Sequence, residues 1–428
     1  MNTVIDTNEK AAKRAAMRLI WLCWLAYTCS YIGKVNYAAN INQVMNYYSV
    51  DHADAGLVST FLFFSYGVGQ FLNGFLCKKY NLKWMIFGSL MVSGSINLAV
   101  AVTPNFEIVK YLWLINGLSL SVLWPCIIRL LSESLPKRYM AKATVIVGTT
   151  VAAGTFAIYA LSALYASFSM FKIAFITAAI AMPIVAFIWM FNVSGAVKNA
   201  KCLCKETEEP IKIEQVNTTQ NTAKTVKHLL YVSIAVMAVY AVATNFIKDG
   251  LTTWIPSILK ENYALDDSFS IILSLSLPLV SMLGNFFAVS VHKKIPDFVY
   301  QCALAFGVAG VIVAIVIGGL SWGQFVLTLV GFTAVSFLAS SNNSVITSIF
   351  PLFMKDKLNS GMMAGVLNGC CYIGSTAASY GLGLVADNFG WEAVFYLLLY
   401  TCVAVCAVAG IYFGITKILK SRKGGTTI

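Results

Sequence analysis

Twelve runs of about 20 apolar residues account for most of this 428-residue chain. Such a run crosses a hydrocarbon core of roughly 30 Å, and lipid offers no partner for unpaired backbone groups, so each run is predicted to be a transmembrane helix. Hydrophobic residues make up 58% of the sequence and charged residues 11%, which excludes an ordinary soluble domain. The runs begin near Met17, Ala55, Leu82, Ile108, Ala141, Phe171, His228, Ser268, Phe298, Trp322, Gly361 and Trp391.

Lysine and arginine are distributed unevenly between the predicted loops. Both termini and the loops after even-numbered helices are rich in them, whereas the opposite loops contain only Lys110, Lys172 and Lys260. Because cytoplasmic loops carry the excess, we expect a multi-pass protein of the plasma or inner membrane with both termini in the cytoplasm. The net charge of +12 is then explained by topology and by attraction to the lipid bilayer, without nucleic acid as a partner. The first run lacks a small-residue cleavage site and is expected to be retained.

A polar stretch at residues 194–227 divides the runs into two groups of six. It is predicted to be a cytoplasmic linker between an N-terminal bundle, residues 1–193, and a C-terminal bundle, residues 228–428. Its two cysteines, Cys202 and Cys204, have no nearby histidine or further cysteine to complete a metal site, so no metal is predicted there.

The two halves resemble divergent copies of one another. Lys78 and Lys79 follow the second run as Lys293 and Lys294 follow the eighth. Parallel repeats of six helices, with a substrate site near the membrane midplane, are typical of major facilitator transporters. The predicted fold is therefore an all-α membrane protein with twelve transmembrane helices in two pseudo-symmetric six-helix bundles.

Two lysines lie inside apolar runs at equivalent places in the two halves, Lys34 in the first run and Lys248 in the seventh. A lysine at the centre of a spanning helix costs roughly 2.5 to 3.5 kcal/mol on insertion scales, and such residues generally face a cavity. We therefore predict that these lysines face one another across a central cavity and bind a small anionic substrate.

Polar and aromatic residues recur at helical spacing beside these lysines, which predicts faces that line water. The alternative for any single serine, threonine or asparagine is a role in packing one helix against another. The faces comprise Tyr27 and Tyr31 with Lys34; Tyr240, Thr244 and Thr252 with Lys248; Tyr66, Gln70 and Asn73; Asn342 and Asn343; and Asn368, Tyr372 and Ser375.

Three other charged residues are candidates for gating or coupling. Arg129 and Glu133 have the i, i+4 spacing of an ion pair, which favours a structural or gate contact over substrate binding. Asp249 directly follows Lys248 and is expected to point about 100° away from it, where it could steady a gate, pair with a neighbour or carry a proton. The histidines lie at or beyond helix ends, which argues against a histidine proton relay in the cavity.

The sequence resembles the organophosphate:phosphate antiporters, the family of the glycerol-3-phosphate and hexose-phosphate transporters. The stretches YIGKVNYAANI and GLSLSVLWPCIIRLLSESLPKR carry the resemblance, as do KDGLTTWIPSILKE and GVLNGCCYIGSTAASYGLGLVADNFGW. Members of this family exchange a phosphorylated metabolite for inorganic phosphate by rocking their halves around a central site. They bind phosphate with one arginine from the first helix and one from the seventh, and these positions match Lys34 and Lys248.

The resemblance also assigns further site residues and shows departures. Tyr27, Tyr31, Tyr66, Trp124 and Tyr372 match aromatic positions of the family's site or its surroundings. A basic residue near Tyr66 is replaced by Gln70, and a central histidine by Thr150. Lysine is a point charge, whereas arginine binds phosphate oxygens in pairs, so the exchange of both arginines for lysine changes the chemistry of the site.

Alternative functions remain open from the sequence. The first is exchange of a sugar phosphate or glycerol phosphate for phosphate. The second is a proton- or cation-coupled symporter of an organic carboxylate such as a sugar acid, with Asp249 as the proton carrier. A third is a transporter-like sugar-phosphate sensor. No nucleophile, phosphate-binding glycine loop or metal cluster has a workable spacing, so we expect neither an enzyme nor a cofactor, and we expect a functional monomer.

Overall fold

The computed structural model describes residues 2–76, 79–205, 224–321, 323–353 and 360–424, and these residues are almost entirely α-helical. The helices are α1 (Asn2–Ala39), α2 (Ile41–Tyr48), α3 (His52–Leu76), α4 (Leu82–Val102), α5 (Phe106–Leu120), α6 (Leu123–Ser134), α7 (Lys137–Gly148), α8 (Thr150–Ser167), α9 (Lys172–Lys205), α10 (Lys224–Tyr263), α11 (Asp267–Ser274), α12 (Ser276–Lys294), α13 (Phe298–Ser321), α14 (Phe325–Ser344), α15 (Phe350–Phe353) and α16 (Ser360–Gly424). A π-helical turn, Val345–Ile349, joins α14 to α15.

Eleven segments of the described residues are long and apolar enough to cross a membrane. The last of them, Gly365–Thr416, is 52 residues long, more than twice the length that one crossing requires. It is interrupted at Gly390, whose backbone angles of φ 77° and ψ 171° are not helical and favour glycine. The helical segments before and after Gly390 correspond to the eleventh and twelfth predicted helices.

Three spans are divided into two helices each, which the apolar runs did not predict. The breaks lie between α5 and α6, α7 and α8, and α11 and α12. Pro125 and Pro278 stand in the first turns of α6 and α12, where a missing N–H removes a bond that would continue the preceding helix. Between α7 and α8, the hydroxyls of Thr149 and Thr150 donate to the carbonyls three residues earlier, at 2.7 and 2.6 Å.

The chain forms two compact units. One consists of Met1–Tyr48 and Phe61–Gln215, and the other of Ser49–Thr60 and Val216–Ile428. The unit boundary therefore lies within α3, and its first two turns pack with the second unit, whereas the predicted N-terminal bundle comprised all of residues 1–193. The hydrogen bond from Thr60 Oγ1 to the Thr376 carbonyl, 3.0 Å long, is one contact of these turns.

The predicted linker is partly helical. Residues 194–205 continue α9 as far as Lys205, because the sequence contains no proline there and the single glycine, Gly195, does not end the helix. Residues 206–223 lie outside the described part of the chain, and α10 begins at Lys224.

Candidate functional site

Lys34 lies in an aromatic cage on the first unit. Its Nζ is 3.7 Å from the centre of the Tyr66 ring, 5.3 Å from that of Tyr31 and 5.9 Å from that of Phe63. The faces of aromatic rings attract cations, with an energy that reaches about 2 kcal/mol where water is excluded. The rings thus support a charged lysine within a membrane span. Tyr31 and Tyr66 were predicted to lie near Lys34, whereas Phe63 was not.

The aromatic cluster extends along α1 towards α6. The Tyr27 ring is 5.4 Å from that of Tyr31, edge to face, and 5.2 Å from that of Trp124. Tyr27 and Tyr66 are buried, with 6% and 2% of their surfaces exposed, while Lys34, Tyr31 and Trp124 are partly exposed. The structure therefore brings together the predicted residues Tyr27, Tyr31, Lys34, Tyr66 and Trp124.

A buried amide network fixes the backbone immediately before Lys34. The carbonyl oxygen of Gly33 accepts hydrogen bonds from Asn97 Nδ2 at 3.2 Å and from Asn116 Nδ2 at 2.9 Å. Asn36 Nδ2 donates to Asn97 Oδ1 at 2.7 Å. These asparagines are fully buried, so the bonds are made in a medium with few alternative partners. The sequence analysis missed this network because its members lie on α1, α4 and α5.

Lys248, on α10 of the second unit, forms an ion pair with its neighbour Asp249. The Nζ–Oδ1 distance is 2.9 Å, and the second carboxylate oxygen accepts a hydrogen bond from Ser375 Oγ on α16. Of the three roles predicted for Asp249, the structure therefore shows pairing with a neighbour, and the neighbour is Lys248. The two Cα–Cβ bonds do diverge around the helix, but the flexible lysine side chain spans the gap.

Amide groups surround this pair on its α14 side. Asn245, one turn before Asp249, donates to Asn343 Oδ1 at 3.1 Å, and the Cys371 thiol approaches the same oxygen at 3.6 Å. Tyr372, which is partly exposed, lies three residues before Ser375 on α16. Thr252 donates its hydroxyl to the Lys248 carbonyl at 2.8 Å.

Several predicted site residues are buried rather than presented to a water-filled surface. Thr150 is fully buried, and its hydroxyl donates to the Val147 carbonyl. Asn342 is 2% exposed and donates to the Cys302 carbonyl at 3.4 Å, a helix-packing contact. Tyr240 and Thr244 are also fully buried, so the predicted water-lining face of α10 does not extend that far. Periodicity alone does not predict this burial.

Gln70 and the Arg129–Glu133 pair complete the predicted residues. Gln70 is partly exposed, one turn after Tyr66 on α3. Arg129 Nε lies 2.6 Å from Glu133 Oε1, so the predicted i, i+4 ion pair forms. Among the described residues no group of three or more histidine, cysteine, aspartate or glutamate side chains could hold a metal ion. The side chains of Cys202 and Cys204 lie outside that part of the chain.

A cluster of charged residues that the sequence analysis did not identify lies in the second unit, around His52. Its Nδ1 is 2.6 Å from Asp387 Oδ1, and its Nε2 is 2.7 Å from Glu261 Oε1. Trp254 and Trp391 pack against the ring, with centroids 5.6 and 5.2 Å away. Each of the three charged residues lies near a helix end. This position was the only feature of the sequence that could have indicated the cluster.

The chain also matches known sequences. The sequence model described as Major Facilitator Superfamily matches residues 23–379. The chain belongs to the major facilitator superfamily. The all-α fold of membrane-spanning helices predicted from the apolar runs is thereby confirmed, and so is the assignment to a transport family rather than to an enzyme family.

Curated relatives extend this family assignment. Sugar phosphate exchanger 3 of Bos taurus is 22% identical over 395 residues, which cover 82% of this chain and 78% of that protein. The membrane sensor protein UhpC of Escherichia coli K12 is 23% identical over 113 residues, 26% of this chain and 25% of its own. A probable hexose phosphate transport protein of Chlamydia pneumoniae is 22% identical over 125 residues, 29% of this chain and 28% of its own. The predicted resemblance to organophosphate:phosphate antiporters is confirmed.

Solved structures share the fold of this major facilitator protein. A bacterial homologue of the human lysosomal transporter Spinster, inward-facing and unoccupied, has a TM-score of 0.72 at 11% identity, covering 93% of this chain and 97% of that one. The nucleoside transporter NupG has a TM-score of 0.63 at 13% identity, covering 93% of this chain and 99% of its own. At these identities the likeness concerns the fold alone.

Proposed function

We propose that this major facilitator protein is a secondary transporter that exchanges a phosphorylated metabolite, of the sugar phosphate or glycerol phosphate type, for inorganic phosphate. Lys34 and Lys248 bind the anion, and access to it alternates between the two sides of the membrane. The observation that carries the proposal is the caged Lys34, a cation held by aromatic rings within a span. The sugar phosphate exchanger and the hexose phosphate transport protein among the relatives support phosphate esters as the substrate class.

The environment of Lys34 favours an anionic ligand. Aromatic faces attract and stabilise the ammonium group. The amide network behind Gly33 holds the helix backbone, so the lysine is anchored at its base. A phosphate oxygen that reaches the ammonium group would make a charge-assisted hydrogen bond.

Binding of an anion to Lys248 would change the contacts of the second unit. Asp249 neutralises Lys248 when no ligand is bound. An anion that binds Lys248 must compete with this carboxylate, which has an alternative partner in Ser375. The bound and ligand-free states therefore have different hydrogen bonds in the second unit. A ligand shifts a conformational equilibrium only through such differences between states.

Transport by reconstituted protein tests this proposal. Vesicles loaded with phosphate are offered a labelled sugar phosphate, and uptake is compared with that of vesicles without internal phosphate. We expect uptake to require internal phosphate. Lys34→Gln and Lys248→Gln are expected to reduce it about 10- to 100-fold, the effect of losing one charge-assisted hydrogen bond.

Two lysines with similar surroundings serve as matched controls. Lys172 lies 3.9 Å from the Tyr47 ring centre, a cation–π contact like that of Lys34. Lys260 pairs with Asp267 at 2.8 Å and has 29% side-chain exposure, close to the 28% of Lys248. Lys172→Gln and Lys260→Gln should retain uptake. Equal losses in all four variants would refute the assigned site, and uptake that ignores internal phosphate would refute exchange.

The Lys248–Asp249 pair supports a second candidate, proton-coupled symport of an organic carboxylate. In this mechanism Asp249 takes up a proton as the substrate carboxylate replaces it on Lys248. Uptake of a labelled sugar acid would then follow an imposed pH gradient, and Asp249→Asn would abolish the response to the gradient while leaving binding intact. Ligand binding without any accumulation would instead favour the sensor function.

A further inference from the structure

We propose that His52, Glu261 and Asp387 form a proton-binding site that holds the start of α3 against α10 and α16. The site is separate from Lys34, Lys248 and Asp249, and its ligand is a proton. The contact of α3 with α10 and α16 does not depend on the proposed transport function. The effect of this contact on exchange rests on that function.

The geometry of the histidine favours a protonated ring. Both ring nitrogens lie at hydrogen-bond distance from a carboxylate oxygen, 2.6 Å for Asp387 and 2.7 Å for Glu261. A neutral imidazole has one N–H donor and one acceptor, whereas the imidazolium ion has two donors. Only the protonated ring can therefore donate to both carboxylates. Without the proton, one nitrogen lone pair would face a carboxylate oxygen, and that contact would be repulsive.

The two carboxylates differ in what else they contact. Asp387 also accepts from the backbone N–H groups of His52 and Ala53, at 3.1 and 2.7 Å, and so caps the first turn of α3. Glu261 has one other bond, from Trp391 Nε1 at 2.8 Å. On deprotonation the ring keeps a single N–H donor, so one of its two carboxylate bonds is lost, while the backbone bonds to Asp387 remain. The proton thus adds one of the bonds that join the start of α3 to α10 and α16.

The neighbouring charges do not replace this proton. Lys260, next to Glu261, pairs with Asp267. At the start of α3, the Asp54 N–H donates to the Asp51 carboxylate at 2.7 Å. The other groups packed on the ring are the aromatic Trp254 and Trp391. His52 has 16% of its side chain exposed, so a proton can reach it from water.

The start of α3 packs closely against the backbone of α16, beside the charged cluster of His52, Glu261 and Asp387. A Cβ added at Gly56 would lie 2.1 Å from the Ser379 carbonyl oxygen, and one at Gly383 would lie 2.5 Å from the His52 carbonyl oxygen. The two helices therefore meet backbone to backbone. Separating them requires the end of α3 that carries His52 to move away from α16, and the charged cluster opposes that movement most strongly when His52 is protonated.

Hydrogen exchange of the full-length protein in lipid nanodiscs tests the site. Amides of residues 52–60 are followed at about pH 5.5 and about pH 8.5, which bracket histidine titration, and rates are corrected with an unstructured peptide for the intrinsic effect of pH. We expect protection of this segment to fall about tenfold or more at the higher pH in the unaltered protein. His52→Gln should remove this pH dependence.

His292→Gln is the matched control. This histidine is in the same unit, stacks on Phe298 with centroids 4.5 Å apart and bonds the Gln301 side-chain oxygen at 3.1 Å. It should keep the pH response of residues 52–60. Should His52→Gln fail to fold, Glu261→Gln provides the same test, because an amide oxygen still accepts from Trp391 but no longer attracts the imidazolium ion. Protection that does not change with pH in the unaltered protein would overturn the proposal. So would a pH response that persists in both His52→Gln and Glu261→Gln.

The consequence for transport is measured separately. In phosphate-loaded vesicles, acidic medium on the side of His52 should slow exchange in the unaltered protein, and His52→Gln should exchange at a rate independent of that pH. If no exchange occurs but the pH-dependent protection is present, the proposed transport function fails and the proton site stands. If exchange occurs but protection does not depend on pH, the proton site fails and the transport function stands.

Discussion

Asn97 Nδ2 on α4 and the Gly33 carbonyl oxygen on α1 are joined by a 3.2 Å hydrogen bond, at the residue before Lys34. The bond is one of a set of buried amide contacts that connect the candidate site to the interior of the first unit. Precise placement of a binding group requires such support from residues that do not touch the ligand. The network therefore predicts effects of distant substitutions on anion binding.

Asn97→Leu should lower the free energy of unfolding by about 1 to 3 kcal/mol and weaken anion binding. The substitution leaves Asn36 without its amide acceptor and removes one donor from the Gly33 carbonyl. The measurement is thermal unfolding with and without phosphate. Ser95→Ala is the control, because Ser95 is exposed on the same helix and donates only within it, to the Met91 carbonyl. Similar shifts for both variants would contradict a specific role for the network.

Tyr66→Leu should weaken phosphate binding about tenfold, because it removes the ring closest to the Lys34 ammonium group. Tyr66→Phe retains the ring face and should bind nearly as the unaltered protein does. A phosphate titration followed by thermal shift distinguishes the two variants. Tyr47→Leu, which removes the ring under Lys172, should leave phosphate binding unchanged. Loss of binding in the phenylalanine variant would point to the hydroxyl group instead of the ring.

Gly154→Ala should destabilise the protein by about 1 to 3 kcal/mol. A Cβ at this position would lie 2.4 Å from the Thr28 carbonyl oxygen and 2.6 Å from Tyr31 Cβ, so α8 could no longer approach α1 closely. Gly148→Ala is the control, since no other atom lies within 4 Å of a Cβ there. The melting temperatures of the two variants provide the comparison, and an equal change in both would contradict the prediction.

Lys248→Arg should increase the preference for phosphate over a carboxylate. A guanidinium group can bind two phosphate oxygens at once, whereas an ammonium group acts as a point charge. Arginine can also keep the ion pair with Asp249. Competition of phosphate and a sugar acid for labelled substrate measures the preference. An unchanged ratio would show that Lys248 does not contact the group that distinguishes the two ligands.

The sequence was sufficient for the membrane-spanning helices and for the residues of α1 that lie beside Lys34. Apolar runs identify spans because lipid imposes one solution on the backbone, and residues four apart on one helix, such as Tyr27 and Tyr31, must lie on the same face. The Arg129–Glu133 pair is confirmed for the same reason. In these cases local geometry determines the contact.

The remaining features depend on packing between distant segments. The burial of Thr150 and Asn342 follows from which helices cover them, and periodicity does not contain that information. The contact between Lys248 and Asp249 is set by side-chain rotamers. Glu261 and Asp387 meet His52 only because three helix ends come together in the fold.

The interruption at Gly390 has a mechanical consequence. One residue, with φ 77° and ψ 171°, separates the helical segment that carries Asp387 from the segment that begins at Trp391, and no flexible loop intervenes. The two segments are therefore connected by a single turn. Because Asp387 and Trp391 lie on either side of this turn and both contact the His52 cluster, a movement that separates the cluster would affect both segments.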